Sequence, residues 1–172
     1  MPQQQQSEPV RFQLYTEGER ARRNASRWTR VQGFLAPLQF LVCLVSIVLV
    51  WRFLASGEGE VAAAVSVVLK TLVLYAIMIT GSLWERDVFG KLLFAPAFFW
   101  EDVVSMFVIA LHTAYLATLV FGWLTVQQQF WLALVAYAAY GINAAQFLLK
   151  FRLARKQSTP TSSANGMAGA VG

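Results

Sequence analysis

Four long apolar runs dominate the chain, at residues 31–50, 61–83, 97–121 and 130–149, separated by polar and charged stretches. The hydrocarbon core of a bilayer is about 30 Å thick, and an α-helix crosses it with about 20 residues. Each run meets or nearly meets that length. The pattern therefore predicts an all-α fold, an integral membrane bundle of four helices. The first 30 residues are polar and lack the apolar core of a cleavable signal peptide. Residues 1–15, Gln-rich at the start, predict a disordered tail. Thr16-Glu17-Gly18-Glu19 fits a capping box and predicts a short polar helix that runs toward Trp28 and enters the membrane. Residues 157–172, rich in Ser, Ala and Gly, predict a flexible tail. One transmembrane domain over residues 16–156 remains, with no room for a separate soluble domain. Pro37 and Pro96 lie near the starts of the first and third runs. Proline suits a first helical turn, where its missing N–H would be unpaired anyway. Pro96 fits that place, and Pro37 reads as a kink one turn in.

Composition agrees with the pattern. The chain has 172 residues, is 57% hydrophobic and only 13% charged, and has a mean hydropathy of +0.51. A soluble domain is roughly 25% charged, so this chain cannot coat a globular surface in the usual way. Its apolar content also excludes a disordered chain. A single cysteine, Cys43, excludes a disulfide within the chain and any CxxC site. The net charge of +5 and pI near 9.7 raise nucleic acid as a partner, but the position of the charges answers otherwise. Arg11, Arg20, Arg22, Arg23, Arg27 and Arg30 precede or open the first run; Lys150, Arg152, Arg155 and Lys156 follow the last; Arg86 and Lys91 lie between the second and third. If the N-terminus is cytoplasmic, 12 of the 14 basic residues fall on that side, and only Arg52 lies outside. The positive-inside rule then predicts N-in, C-in. The basic residues set topology and meet lipid headgroups, and no basic soluble face exists for nucleic acid.

Charged groups inside a bilayer are costly and usually face the bundle interior, so they are where function is sought. They are Lys70, Glu101, Asp102 and His112, with Glu85, Arg86 and Asp87 at the boundary. Gln39, Tyr75, Asn143 and Gln146 are the neutral candidates. In the third helix Glu101, Ser105, Val108, His112 and Tyr115 follow one stripe. Glu101 and His112 differ by about 20° in direction and ~16 Å along the axis. They line one groove without touching. Lys70 and His112 fall near mid-depth, whereas Glu101, Asn143, Gln146 and Gln39 fall toward the cytoplasm. The polar layer is thus expected to open inward, with a drier outer half. Plainer roles stand beside each candidate. Lys70 can pair with a polar group between helices, and His112 can hydrogen-bond across them. Asn143 and Gln146 can act as interhelical glue, the Glu101-Asp102 pair can answer a helix dipole, and Glu85-Arg86-Asp87 can be an interfacial cluster. No HExxH, Walker loop or GxGxxG occurs, and one histidine cannot build a multi-His metal centre. Acid–base chemistry by carboxyls stays open.

Several stretches carry a resemblance. They are Arg22-Arg23-Asn24-Ala25-Ser26-Arg27-Trp28-Thr29, Val31-Gln32-Gly33-Phe34-Leu35-Ala36-Pro37-Leu38-Gln39-Phe40-Leu41, Lys70-Thr71-Leu72-Val73-Leu74-Tyr75, Phe94-Ala95-Pro96-Ala97-Phe98-Phe99-Trp100-Glu101-Asp102-Val103-Val104-Ser105-Met106 and Ala110-Leu111-His112-Thr113-Ala114-Tyr115. Together they resemble the 3-vinyl (bacterio)chlorophyllide hydratase family of bacteriochlorophyll biosynthesis, in older naming the 2-vinyl bacteriochlorophyllide hydratases. The resemblance spans roughly residues 15–155.

The resemblance implies a membrane lyase that adds water to the C3 vinyl group of chlorophyllide a or its bacteriochlorin counterpart, giving a 1-hydroxyethyl group. It implies a multi-pass protein of the bacterial inner or intracytoplasmic photosynthetic membrane, with the pigment and the bilayer as partners and pathway enzymes as neighbours. No cofactor or protein-bound metal is implied, since the Mg belongs to the substrate. On this basis Glu101 is expected to be the acid that protonates the terminal vinyl carbon, helped by burial, which disfavours a charged carboxyl. Asp102 is expected to be the base or stabiliser that handles water. His112 is expected to ligate the pigment Mg or to move a proton. Lys70, or more comfortably Arg86 or Lys91, would meet the pigment propionate, and Tyr75 and Asn143 complete the substrate-binding candidates. The competing expectations are a pigment carrier that makes no use of Glu101-Asp102 and a small transporter relaying protons through Glu101, Lys70 and His112. Labelled water separates them, because a carrier leaves the pigment unchanged.

Overall fold

The computed structural model describes residues 14–157, with side chains to residue 152. Among the described residues the fold is all-helical. Its elements are α1 (Glu17–Ala25), α2 (Arg27–Ser56), α3 (Glu60–Phe89), α4 (Phe99–Phe121) and α5 (Val126–Gln157). Four of them, α2 to α5, are long and apolar enough to cross a membrane, and the chain is a multi-pass membrane protein. Most helices outrun the apolar stretches that predict them. A 30-residue helix is about 45 Å long, so α2 and α3 project beyond the hydrocarbon core into their polar flanks. Helix α4 instead starts two residues later than expected. Pro96 does not open it but sits in a preceding turn, closed by Phe98 N–H donating to Ala95 O at 2.8 Å.

The capping box is present. Thr16 N–H donates to Glu19 Oε2 at 2.8 Å, and Glu19 N–H donates to Thr16 Oγ1 at 3.3 Å. The polar helix does not continue into the membrane helix, because Ser26 is extended (ψ 129°) and starts α2 as a separate cap. Its hydroxyl accepts from Trp28 N–H and donates to Asp87 Oδ2 at 2.7 Å, which a continuous helix would forbid. Of the two expected tails, residues 1–13 and 158–172 lie outside the described residues. Leu14 and Tyr15, expected with the first tail, are instead buried. Tyr15 stacks on Phe89 at 5.8 Å, beneath the Arg23 guanidinium. Burial pushes its phenol up to about 12, with Arg23 opposing, so the ring packs as a neutral aromatic group.

Two antiparallel hairpins make the bundle, α2 with α3 and α4 with α5. Gly57 (φ 74°) and Gly59 (φ 85°) reverse the chain in the first. Polar contacts run up the α2–α3 seam: Ser26–Asp87, Trp84 Nε1–H to Thr29 Oγ1 (3.0 Å), Gln32 Nε2–H to Thr80 Oγ1 (2.7 Å), and Ser46–Ser66 (2.7 Å). The α4–α5 seam reads Glu101–Lys150, Ser105–Asn143 and His112–Tyr137. Such spacing fixes register, because a polar group inside an apolar bundle has few partners within reach.

One apolar core, around Cys43, Val50, Val67, Tyr115, Phe130 and Tyr137, fills the half nearer the 57–59 and 122–125 turns. A second, around Tyr15, Val88 and Phe98, sits at the opposite end, with α1 and the 90–98 loop. We call this the basic end. The far half is less dry than expected. Ser46 links Ser66 and Tyr137 inside it, and Gln129 Nε2–H donates to Thr118 O and Leu124 O. These groups satisfy one another, so a polar chain costs little there. The outer surface is apolar, with Phe34, Val48, Val61, Ile79 and Val120 all exposed, as lipid contact requires.

Candidate functional site

At the basic end three carboxyls converge. Glu85 (5% exposed), Glu101 (8%) and Asp102 (3%) are all buried. The chain brings them together through the 90–98 loop. Gly90, at φ 75°, ends α3, and Phe94 takes the same left-handed region at φ 58°. That conformation is unfavourable for a residue with a side chain. Its effect is to turn two consecutive N–H groups onto two different carboxyls. Phe94 N–H donates to Asp102 Oδ2 at 2.7 Å, and Ala95 N–H donates to Glu85 Oε2 at 3.3 Å. Glu85 and Asp102 are thereby neighbours, each held by one of two adjacent loop N–H groups. A hydrogen bond between two carboxyls needs a proton on one of them, because a carboxylate can only accept. The arrangement suits two carboxyls that share one proton.

Glu101 is in a different state. Its Oε2 takes a 2.6 Å bond from Lys150 Nζ, and Lys150 also lies 4.9 Å from the Phe98 ring centroid. A charge-assisted bond of this length holds a carboxylate. Successive helix residues point about 100° apart, so Glu101 turns toward α5 while Asp102 turns toward the loop and α3. Phe98, with no exposed surface, floors the site amid Tyr15, Trp84, Phe89, Phe147 and Phe151. Beside the site, Phe94 (40% exposed), Phe99 (44%) and Trp100 (70%) form an aromatic outer face of tilted and edge-on rings.

The other sequence candidates lie elsewhere. Lys70 is at mid-depth with no exposed surface. Its Nζ lies 3.7 Å from the Tyr140 ring centroid and donates to Gln39 Oε1 at 3.1 Å, with the Gln39 amide turned so that its Nε2–H donates to Val73 O. It is therefore paired between helices and does not meet the carboxyls. His112 is also fully enclosed. Its Nδ1 lies 2.8 Å from Val108 O, so Nδ1 carries the proton and Nε2 the lone pair. The ring faces Tyr137 at 5.8 Å, and a flat macrocycle reaches it only by parting α4 from α5. Tyr75 hydrogen-bonds Thr113 at 2.7 Å across α3 and α4, away from the acids. Asn143 Nδ2–H donates to Ser105 Oγ at 2.8 Å, inside the α4–α5 seam. Arg86 and Lys91 are exposed at the basic end.

Two residues of the site are given no catalytic or binding role by the sequence. Glu85 was grouped with Arg86 and Asp87 as an interfacial cluster. Its signal was periodicity: it lies 18 residues, five full turns, beyond Val67 on the buried stripe of α3. Lys150 was counted among the basic residues that set topology. Nothing local marks it as the partner of Glu101, because that pairing depends on the register of α4 against α5. A pocket of about 200 Å³ lined by Phe53, Leu54, Gly57 and Gln127 lies at the far end, away from every acid above.

The comparisons with known proteins agree with one another. The profile of the family described as 2-vinyl bacteriochlorophyllide hydratase matches residues 15–153. A 2-vinyl bacteriochlorophyllide hydratase of Rhodobacter capsulatus is 61% identical over 158 residues, covering 92% of this chain and 91% of the relative. One of Cereibacter sphaeroides is 61% identical over 142 residues, covering 83% and 88%. No solved structure matches.

Proposed function

The chain belongs to the 2-vinyl bacteriochlorophyllide hydratase family, and from that premise we propose that it hydrates its pigment at the basic end, with the Glu85–Asp102 pair handling the proton. It is a hydro-lyase of bacteriochlorophyll biosynthesis, and the reaction adds water across a vinyl group. The terminal vinyl carbon gains a proton from the carboxyl pair. Positive charge then develops on the adjacent carbon and spreads into the macrocycle. Water adds there and gives up a proton, leaving a 1-hydroxyethyl group.

The observation that carries the site is the carboxyl pair held by two successive loop N–H groups. It supplies what general acid catalysis needs, a positioned proton beside an apolar surface. Glu101, kept anionic by Lys150, suits the complementary role of stabilising the cation and accepting the proton from water. This reverses the roles read from sequence, where Glu101 was the acid and Asp102 the base. The macrocycle lies against Phe94, Phe99 and Trp100, with Arg86 or Lys91 for its carboxylate. Lys70 and His112 take structural roles. The basic end faces the cytoplasm, in the bacterial inner or intracytoplasmic photosynthetic membrane.

The test uses purified membranes, the 3-vinyl pigment and water labelled with heavy oxygen. The wild-type chain incorporates one label per product. Asp102→Asn and Glu85→Gln each slow turnover on the order of 10²- to 10⁴-fold. Full activity in both variants overturns the acid assignment.

A further inference from the structure

The α4–α5 seam contains four buried atoms with no hydrogen-bond partner among the described residues: His112 Nε2, Tyr115 OH, Asn143 Oδ1 and Gln146 Oε1. Protein interiors leave few polar groups unpaired, and a buried water is the usual partner for those that remain. Turning the Asn143 amide over exchanges the atom that meets Ser105 but still leaves one unpaired. Two of the four, Asn143 and Gln146, are three residues apart on α5, where side chains are neighbours. They lie at the inner level of the seam. Ser105, which Asn143 bonds, is one turn from Glu101 on α4, and Lys150, which Glu101 bonds, is one turn from Gln146 on α5.

The chemistry of the pair selects the ligand. Two amide carbonyls offer acceptors only, so they need a molecule with two donors. A metal cation is disfavoured by Lys150 one turn away. Water fits: it can donate one hydrogen to each carbonyl and keep its lone pairs free. That is the state of a nucleophile, and Glu101 stands nearby as a carboxylate.

We propose that Asn143 and Gln146 hold a water between α4 and α5, and that this is the water added to the vinyl group. The inference rests on the hydratase reading above. The water oxygen forms its bond to the carbon left positive by protonation, and the positive charge moves to that oxygen. One of its two O–H groups then turns from the Gln146 carbonyl to Glu101, the O–H bond breaks, and the carboxylate takes the proton. The proton on the terminal carbon comes from the Glu85–Asp102 pair, which is refilled from solvent as Glu101 releases its own, so one water is added and no charge is left over.

Gln146→Met tests this cleanly, because among the described residues Gln146 makes no bond to another helix, and methionine has a similar shape. The expected result is a fall in kcat on the order of tenfold to a hundredfold from misplaced water, with KM for the pigment within about twofold of wild type and thermal stability maintained. Unchanged kcat with maintained or raised stability overturns the proposal, since an acceptor without water is only a cost. A second readout uses the resting full chain in lipid nanodiscs without pigment. Brief X-ray irradiation converts bound water to hydroxyl radical, which oxidises adjoining side chains. Phe147 and Met106 are expected to label in wild type and to lose most of that label in Gln146→Met, while exposed Trp51 labels equally in both. Equal labelling of Phe147 and Met106 in the two proteins overturns the proposal. Labelling as expected, without uptake of heavy oxygen by the vinyl pigment, leaves the water site standing and overturns the hydratase reading.

Discussion

Glu101 and Asp102 are adjacent in sequence but meet different partners, Lys150 and the loop that leads to Glu85. Their substitutions should therefore differ in kind. Lys150→Met strands a buried carboxylate. Losing one partner of a fully buried ion pair costs about 3–5 kcal/mol. Lys150 keeps 22% of its side chain exposed, so on the order of 2 kcal/mol is expected here. Glu101→Gln in the same background should restore much of that stability, measured by thermal unfolding in detergent, but not activity. Lys70 and Gln39 give a second pair. Each single change, Lys70→Met or Gln39→Leu, leaves the other group buried without its bond, at about 1–3 kcal/mol. The double variant should be more stable than either single one. A double variant no better than the sum of the singles would show that the two groups are not coupled.

At the scale of elements, the 90–98 loop shapes the site. Phe94 holds a left-handed backbone although it is not glycine, while its N–H serves Asp102 and its ring faces outward. Phe94→Gly keeps the N–H and eases the backbone, so the fold should gain up to about 1 kcal/mol. Because only the ring is lost, the kinetic effect should fall on KM for the pigment and leave kcat near wild type; a kcat loss alone would remove the ring from the pigment surface. The four spans were legible in the sequence because their signal is local: an apolar run of bilayer length needs no knowledge of its neighbours. The capping box at Thr16 was legible for the same reason. Glu85, Lys150 and Tyr15 were not, since each owes its role to a loop conformation or a helix register that brings distant residues together. The stripe from Glu101 to Tyr115 lies between these cases. Its buried face was readable from spacing and is buried as expected, but spacing could not say that His112 would be closed in by Tyr137.

The whole molecule has two unlike ends, and that asymmetry predicts its orientation. Among the described basic residues, all but Lys70 and Arg52 belong to segments at the end that carries the carboxyls, and only Arg52 belongs to the other. Arg52 is itself paired with Glu58 at 3.6 Å, so the far end has little free positive charge. From this the positive-inside rule predicts a cytoplasmic basic end. The placement has a chemical consequence, since a pigment carboxylate, exposed Arg86 and Lys91, and solvent protons would meet on one side of the membrane. Cysteine mapping tests it. With Cys43, the single native cysteine, replaced by Ala, cysteines at Glu58 and at Lys91 report opposite ends. In intact spheroplasts a membrane-impermeant thiol reagent should label Glu58→Cys and spare Lys91→Cys, and lysis should expose Lys91→Cys. The reverse pattern would put the carboxyl site on the outer face, away from any substrate made in the cytoplasm. Labelling at both ends in intact cells would mean dual insertion, and the excess of basic residues at one end makes that the least expected result.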